Sequence, residues 1–111
     1  MSRPMLVPGT LYINRDRDYR DGTWGRYVKI GIVRNERDAE ARNREHQTGN
    51  PREVITQFSL HSPMVEHLET QLHWRFGSRW VHGEWFEMSQ PFVRDVLIPC
   101  ARWTLRWPVL P

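Results

Sequence analysis

The chain is short of lysine, of cysteine and of long apolar runs, and each shortage excludes something. Lys29 is the only lysine among sixteen basic residues, so the basic character rests on arginine, and the net charge is only +3. Such an excess permits nucleic-acid binding without requiring it. Cys100 is the only cysteine, which rules out an internal disulfide and fits a reducing compartment, with the thiol serving as buried apolar filler. No apolar run approaches the roughly 20 residues needed to cross a bilayer, and the opening MSRPMLVPG lacks a signal-peptide core. A cytoplasmic protein without a membrane partner is expected. Internal repeats and low-complexity segments are lacking too, which argues against a solenoid or a disordered chain.

What is present is ordinary globular material. The 111 residues are 39% apolar and 26% charged, with six Trp, four Phe and three Tyr, enough for one modest core and one domain spanning 1–111. Charge is uneven along the chain. Residues 1–52 hold eleven basic and seven acidic side chains, whereas residues 53–111 hold five and six, so the positive field lies on the first half.

Leu6 to Asn14 (LVPGTLYIN) and Arg26 to Val33 (RYVKIGIV) are rich in β-formers and predict a hairpin. Between them RDRDYRDGTWG, with Asp21-Gly22 and Gly25, reads as a solvated loop over 15–25. Asn35 is placed to cap a helix from about Glu36 to Gln47, which Thr48-Gly49-Asn50-Pro51 stops. Glu53 to His61 alternates as a third strand. Ser62-Pro63, with Glu66 as the second half of a capping box, predicts a helix whose core stripe is Val65, Leu68, Leu72 and Phe76, ending at Gly77. Gly83 to Met88 reads as a short strand, and a third helix from about Gln90 is expected to kink or end at Pro99. The expected fold is α+β, a small antiparallel three-stranded sheet flanked by helices in the order ββαβαβα. Its motif-bearing core covers about 9–88, followed by a C-terminal helix and Trp/Arg tail over 90–111.

Four blocks in order carry a family likeness. Gly9-Thr10-Leu11-Tyr12-Ile13 is followed by Val28-Lys29-Ile30-Gly31, then by an arginine-bearing segment running into Thr48-Gly49-Asn50-Pro51. Leu68-Glu69-Thr70-Gln71-Leu72-His73 and Gly83-Glu84-Trp85-Phe86 complete the set. Together they resemble the GIY-YIG nuclease superfamily, and within it the short phage and bacterial branch of the meiotically up-regulated gene type, in which KIG replaces YIG. The chain departs at Val33, where a threonine is usual, and in a longer segment between Gly31 and Arg42 that leaves Arg37 and Arg44 as competitors for the register of Arg42.

The resemblance implies phosphodiester hydrolysis with one divalent ion, Mg2+ or Mn2+, held by Glu69. It also implies an arginine at the phosphate, here Arg42, and a tyrosine that helps activate water, here Tyr12. The residue types suit those tasks. A guanidinium stabilises transition-state charge bidentately where a lysine acts as a point charge. One carboxylate is sufficient for a magnesium ion that keeps most of its waters. A phenol with an ordinary pKa of about 10 acts as base only where cations such as Lys29 and Arg42 favour phenolate, and otherwise orients water. Lys29 takes the place of the second tyrosine, with Tyr27 as an alternative two positions earlier. His46, four residues after Arg42, shares its face and can position phosphate or water. Arg34, Arg44 and His73 are the candidates for nucleic-acid contacts.

Bland alternatives exist for each: a helix-surface carboxylate for Glu69, a packing tyrosine for Tyr12, a solvated arginine for Arg42. Trp85 and Phe86 read as core. Arg102-Trp103 and Arg106-Trp107 form a repeat that either stacks on nucleic acid, packs on a partner or a second copy, or folds back on the core. The reading that follows is a metal-dependent endonuclease acting on DNA, associated with a phage or mobile element and working inside a bacterial host cell. Two alternatives remain: a catalytically inactive module of the same fold that binds nucleic acid or protein, and an interaction protein that docks through its tail.

Overall fold

Strand β1 (Gly9–Arg17) is an interior strand, flanked by β2 (Trp24–Arg34) and β3 (Glu53–Ser62), both antiparallel to it. In this computed structural model residues 6–34 and 52–106 are described. Helix α1 covers Val65–Arg75, and two short strands, β4 (Trp80–His82) and β5 (Trp85–Glu87), follow it. A continuous helical run, α2, closes the described chain: a first turn Gln90–Phe92, a π-helical stretch Val93–Leu97 and an α-helix Ile98–Arg106. The sheet has five strands in the order β3-β1-β2-β5-β4, antiparallel throughout.

The α+β class is as expected, but the three-stranded sheet and the order ββαβαβα are not. The segment around Gly83 to Met88 forms a hairpin, β4 with β5, and β5 pairs onto β2 through Tyr27↔Glu87, Val28↔Phe86 and Lys29↔Trp85. β5 lies within the short strand expected at Gly83 to Met88, while β4, three residues long, is too short to display the alternation that reveals a strand in sequence. The helix expected over 36–47, with Arg42, Arg44 and His46 on it, lies outside the described residues.

The solvated loop expected over 15–25 is also corrected. β1 continues to Arg17 and β2 begins at Trp24, leaving a tight turn closed by Asp18 N–H to Thr23 O at 2.9 Å and Gly22 N–H to Asp18 O at 3.0 Å. Gly22 takes φ 73° there, a backbone angle that suits glycine. Residues 19–24 are exposed, as a solvated loop requires, but the charges before them are held in half-exposed ion pairs: Arg17 with Glu53 at 2.8 Å and Asp16 with Arg52 at 3.1 Å. Arg17 also lies over the Trp24 ring at 5.2 Å.

One sheet face carries Leu11, Ile13, Val28 and Ile30, each fully buried, and α1 packs Val65, Leu68 and Leu72, with Phe76 just after its end, into the same core. The helical stripe read from sequence is therefore the packed face. Close approach is possible because Gly9 lacks a side chain: a Cβ there would lie 2.3 Å from Val33 O and 2.9 Å from Val65 Cγ1. The capping box is not formed. Ser62 ends β3 and its Oγ accepts from Met64 N–H at 3.0 Å, Val65 N–H is taken by Val7 O at 2.9 Å, and Glu66 turns to Arg34. Pro99 neither kinks α2 to a stop nor ends it. The missing N–H and bulky ring fall just after the π-helical stretch, where the ladder has already changed register, as Ile98 N–H bonding to Val93 O records.

Candidate active site

Tyr12 sits at the middle of β1, 1% exposed, directly opposite Gly31 of β2. A Cβ at position 31 would lie 2.5 Å from Tyr12 Oη, 2.6 Å from its Cζ and 3.1 Å from Glu84 Oε2. The missing side chain thus leaves a slot in which the phenol of β1 and the carboxylate of the β4–β5 turn become neighbours. Glu84 reaches this place because its hairpin is tied to β2: Ile30 N–H donates to Glu84 O at 3.0 Å, and the preceding Gly83 takes φ 56° to make the turn.

Lys29, one alternation away from Gly31 on the same strand face, brings Nζ to 3.7 Å from Glu84 Oε2, with the lysine side chain 15% exposed. Asn14 faces Lys29 across the ladder, is 1% exposed, and accepts from Thr56 Oγ1 at 2.7 Å through Oδ1.

Glu69 and His73 project from α1, one helical turn apart. One Glu69 oxygen, Oε2, is buried and accepts no hydrogen bond among the described residues. Burial pushes the carboxyl up to about 7, helped by the charges of Glu84 and then Glu66, while Arg34 and Lys29 oppose the rise. Desolvation of an ionised carboxylate with no donor is the dominant cause, and like charge adds to it. His73 places Nε2 2.9 Å from Ile30 O and sets its ring edge-on to Phe86 at 5.0 Å. A carbonyl can only accept, so Nε2 carries the proton and Nδ1 holds the lone pair in the neutral ring. At the rim, Arg34 donates through Nε to Glu66 Oε1 at 2.9 Å.

Charge links Glu69 to Glu84, Lys29 and Arg34, and the slot at Gly31 links Tyr12 to Glu84, while Arg42, Arg44 and His46 are outside the described residues. Tyr27, the alternative to Lys29, is 38% exposed and has Arg26 over its ring at 5.9 Å. Phe86 is fully buried, as expected of core. Sequence reasoning missed Glu84 and Glu66 as members of the electrostatic set. Glu84 was in view as the acidic residue of Gly83-Glu84-Trp85-Phe86, but its nearness to Lys29 follows from the pairing of β5 with β2, which a three-residue strand does not announce.

Among the described residues no group of three or more His, Cys, Asp or Glu could hold a metal ion. Glu84 lines the slot and Glu69 feels its charge, and a hard divalent ion that retains several waters needs no more than one or two carboxylates. A buried carboxylate oxygen without a donor fits such a ligand. No helix among the described residues is long and apolar enough to cross a membrane.

A five-stranded antiparallel sheet with helices packed on it, and with Tyr12, Lys29 and Glu84 close together at the β1–β2 pairing, defines a small α+β domain. The chain belongs to the T5orf172 domain family, whose model matches residues 9–104. That is a phage-associated family of GIY-YIG-like, nuclease-like domains. No curated protein and no solved structure matches the chain.

Proposed function

We propose that the protein is a divalent-metal-dependent endonuclease that hydrolyses DNA phosphodiester bonds, of the branch in which KIG replaces YIG, acting in the cytoplasm of a bacterial host. The observation that carries this reading is the buried Glu69 oxygen without a hydrogen-bond donor, set beside Glu84 and Lys29. Glu69 would hold Mg2+ or Mn2+, with Glu84 close enough to order its water shell; when bound, the ion supplies charge neutralisation and a more acidic water. Tyr12 orients the attacking water, and Lys29 favours the phenolate form if the phenol takes its proton. Arg42 is assigned to the non-bridging phosphate oxygens and His46 to positioning water or phosphate, while Arg34, Arg44 and His73 contact the nucleic-acid backbone.

The test is magnesium-dependent nicking of supercoiled plasmid by the full chain, with Glu69→Ala as the control. Nicking that depends on both the ion and Glu69 supports the reading; nicking that persists in Glu69→Ala refutes it.

A second reading rests on Tyr12, which is only 1% exposed. A phenol so deeply set reaches a substrate only after something around it moves, and a module in which nothing moves would bind nucleic acid without cutting it. Retained DNA binding with no metal-dependent nicking would favour that module. For the tail, Trp103 is 51% exposed with Arg75 over its ring at 5.5 Å, which supports a role for this end in contacting a protein partner or a second copy.

A further inference from the structure

We propose that the cleft over Arg15 is a binding site for a phosphate group, separate from the Tyr12–Glu69 site and independent of the endonuclease reading. Arg15 is 1% exposed, among the most deeply buried side chains of the fold. It lies opposite Val28 on the core face of β1, near the end that leads into the turn, whereas Tyr12 lies opposite Gly31. Two parts of its guanidinium are held. Nε donates to Gln57 Oε1 at 3.0 Å and Nη1 donates to Gly25 O at 2.8 Å. The remaining nitrogen, Nη2, is buried and has no partner among the described residues.

Both partners are neutral, so a full positive charge sits in the interior with no carboxylate bonded to it. The adjacent Asp16 is taken by Arg52 at 3.1 Å. A buried, uncompensated charge is among the costliest features a small domain can carry. Burial indeed draws the Arg15 pKa below its ordinary value, with Asp16 only partly opposing.

Arg15 lines a cleft of about 240 Å³, whose other walls include Arg26, Glu87, Ser89 and Gln90. Glu87 does not supply the missing counter-charge, because its carboxylate is bound to Arg26 at 2.8 Å. What remains for a ligand is the buried Nη2, reached as the cleft wall over it moves aside, with a serine hydroxyl and an amide nearby. That donor set suits an oxyanion, and the planar fork of arginine matches phosphate in particular. The space exceeds the share of several waters, so a phosphate group fits with part of its hydration.

The same chemistry recognises free orthophosphate and a phosphate at the end of a nucleic-acid strand. The full chain, 15N-labelled, is titrated with orthophosphate at constant ionic strength, with chloride as the control. We expect the amides of Gly25, Ser89 and Gln90 to shift saturably with phosphate and not with chloride. Arg15→Gln and Gln90→Glu should each weaken binding by roughly tenfold or more, since one removes a charged donor and the other sets an acid at the rim. If Arg15→Gln does not fold, Gln90→Glu decides alone, being a change at an exposed position. A 5′-phosphorylated oligonucleotide that displaces orthophosphate, where its unphosphorylated twin does not, assigns the strand end as source; displacement by neither assigns the free ion. Absence of a saturable shift, or one that Gln90→Glu leaves unchanged, overturns the proposal.

Discussion

Tyr12 Oη lies 2.5 Å from the point where a Cβ on Gly31 would stand. The two residues face each other across the β1–β2 ladder, and only glycine leaves room for the phenol. Gly31→Ala should therefore destabilise the fold by about 1–3 kcal/mol, the usual cost of forcing an extra methyl into a packed site. Adding Tyr12→Ala should recover part of that loss, because the coupling is between these two side chains. Chemical denaturation of the single and double variants gives the answer, and a stable Gly31→Ala alone would mean that the phenol swings aside freely.

Glu69 should make stability depend on pH in a definite direction. Its folded carboxyl titrates at about 7 against an ordinary value of 4.5, so between those limits the native state binds more protons than the unfolded chain. Stability is then fully present below the lower value and falls as pH rises through the upper one. Metal-free Glu69→Gln should lack this fall and exceed the wild type at pH 8 by on the order of 1–2 kcal/mol, less than full linkage because the group is partly solvated. Urea midpoints of the two proteins at pH 4, 6 and 8 are the measurement. Parallel curves would remove Glu69 from the list of strained carboxylates.

Glu84 should act through its neighbours. Glu84→Gln takes away the larger of the two like charges near Glu69, so the Glu69 carboxyl should titrate lower, though still above its ordinary value because burial is untouched. Carbon-detected NMR of the side-chain carboxyl follows this directly. A Glu69 titration identical in the two proteins would show that burial alone sets it and that Glu84 is a partner of Lys29 only.

Arg42 carries the largest mechanistic weight of the residues outside the described segments. If the sequence-expected helix from Glu36 forms, positions 39, 42 and 46 share a face and positions 37 and 44 do not. Arg42→Lys should keep weak DNA binding and lose cleavage on the order of 10²-fold, because charge survives while the bidentate fork does not. Arg37→Lys and Arg44→Lys should change little. Single-turnover cleavage by the three variants at saturating magnesium distinguishes them, and a silent Arg42→Lys beside a crippled neighbour would move the assignment.

The parts of this fold that were legible in sequence are those with a sustained local period. The alternation of β1, β2 and β3 and the Val65, Leu68, Leu72, Phe76 stripe each repeat long enough to be counted. β5 falls within the short strand read at Gly83 to Met88, whereas β4, three residues long, offers no period to count. Arg15, Asp16 and Arg17 looked like loop because alternating charge is a solvent signal until its partners are known, and those partners, Glu53 and Arg52, come from β3 and its approach. Ser62 and Glu66 had the spacing of a cap, but strand pairing claimed the first and Arg34 the second. For the candidate site, Tyr12, Lys29 and Glu69 were visible through their blocks, whereas the part played by Glu84 arises from contact between distant segments.

The tie between Ile30 N–H and Glu84 O has a consequence for how the domain matures. The β1–β2 hairpin closes through a local turn and can form early, while Glu84 must be delivered from far along the chain after α1 has docked, a contact of high sequence separation and late reward. A chain that ended before Glu84 would therefore lack both the tie to Ile30 and the larger of the like charges that raise the Glu69 carboxyl.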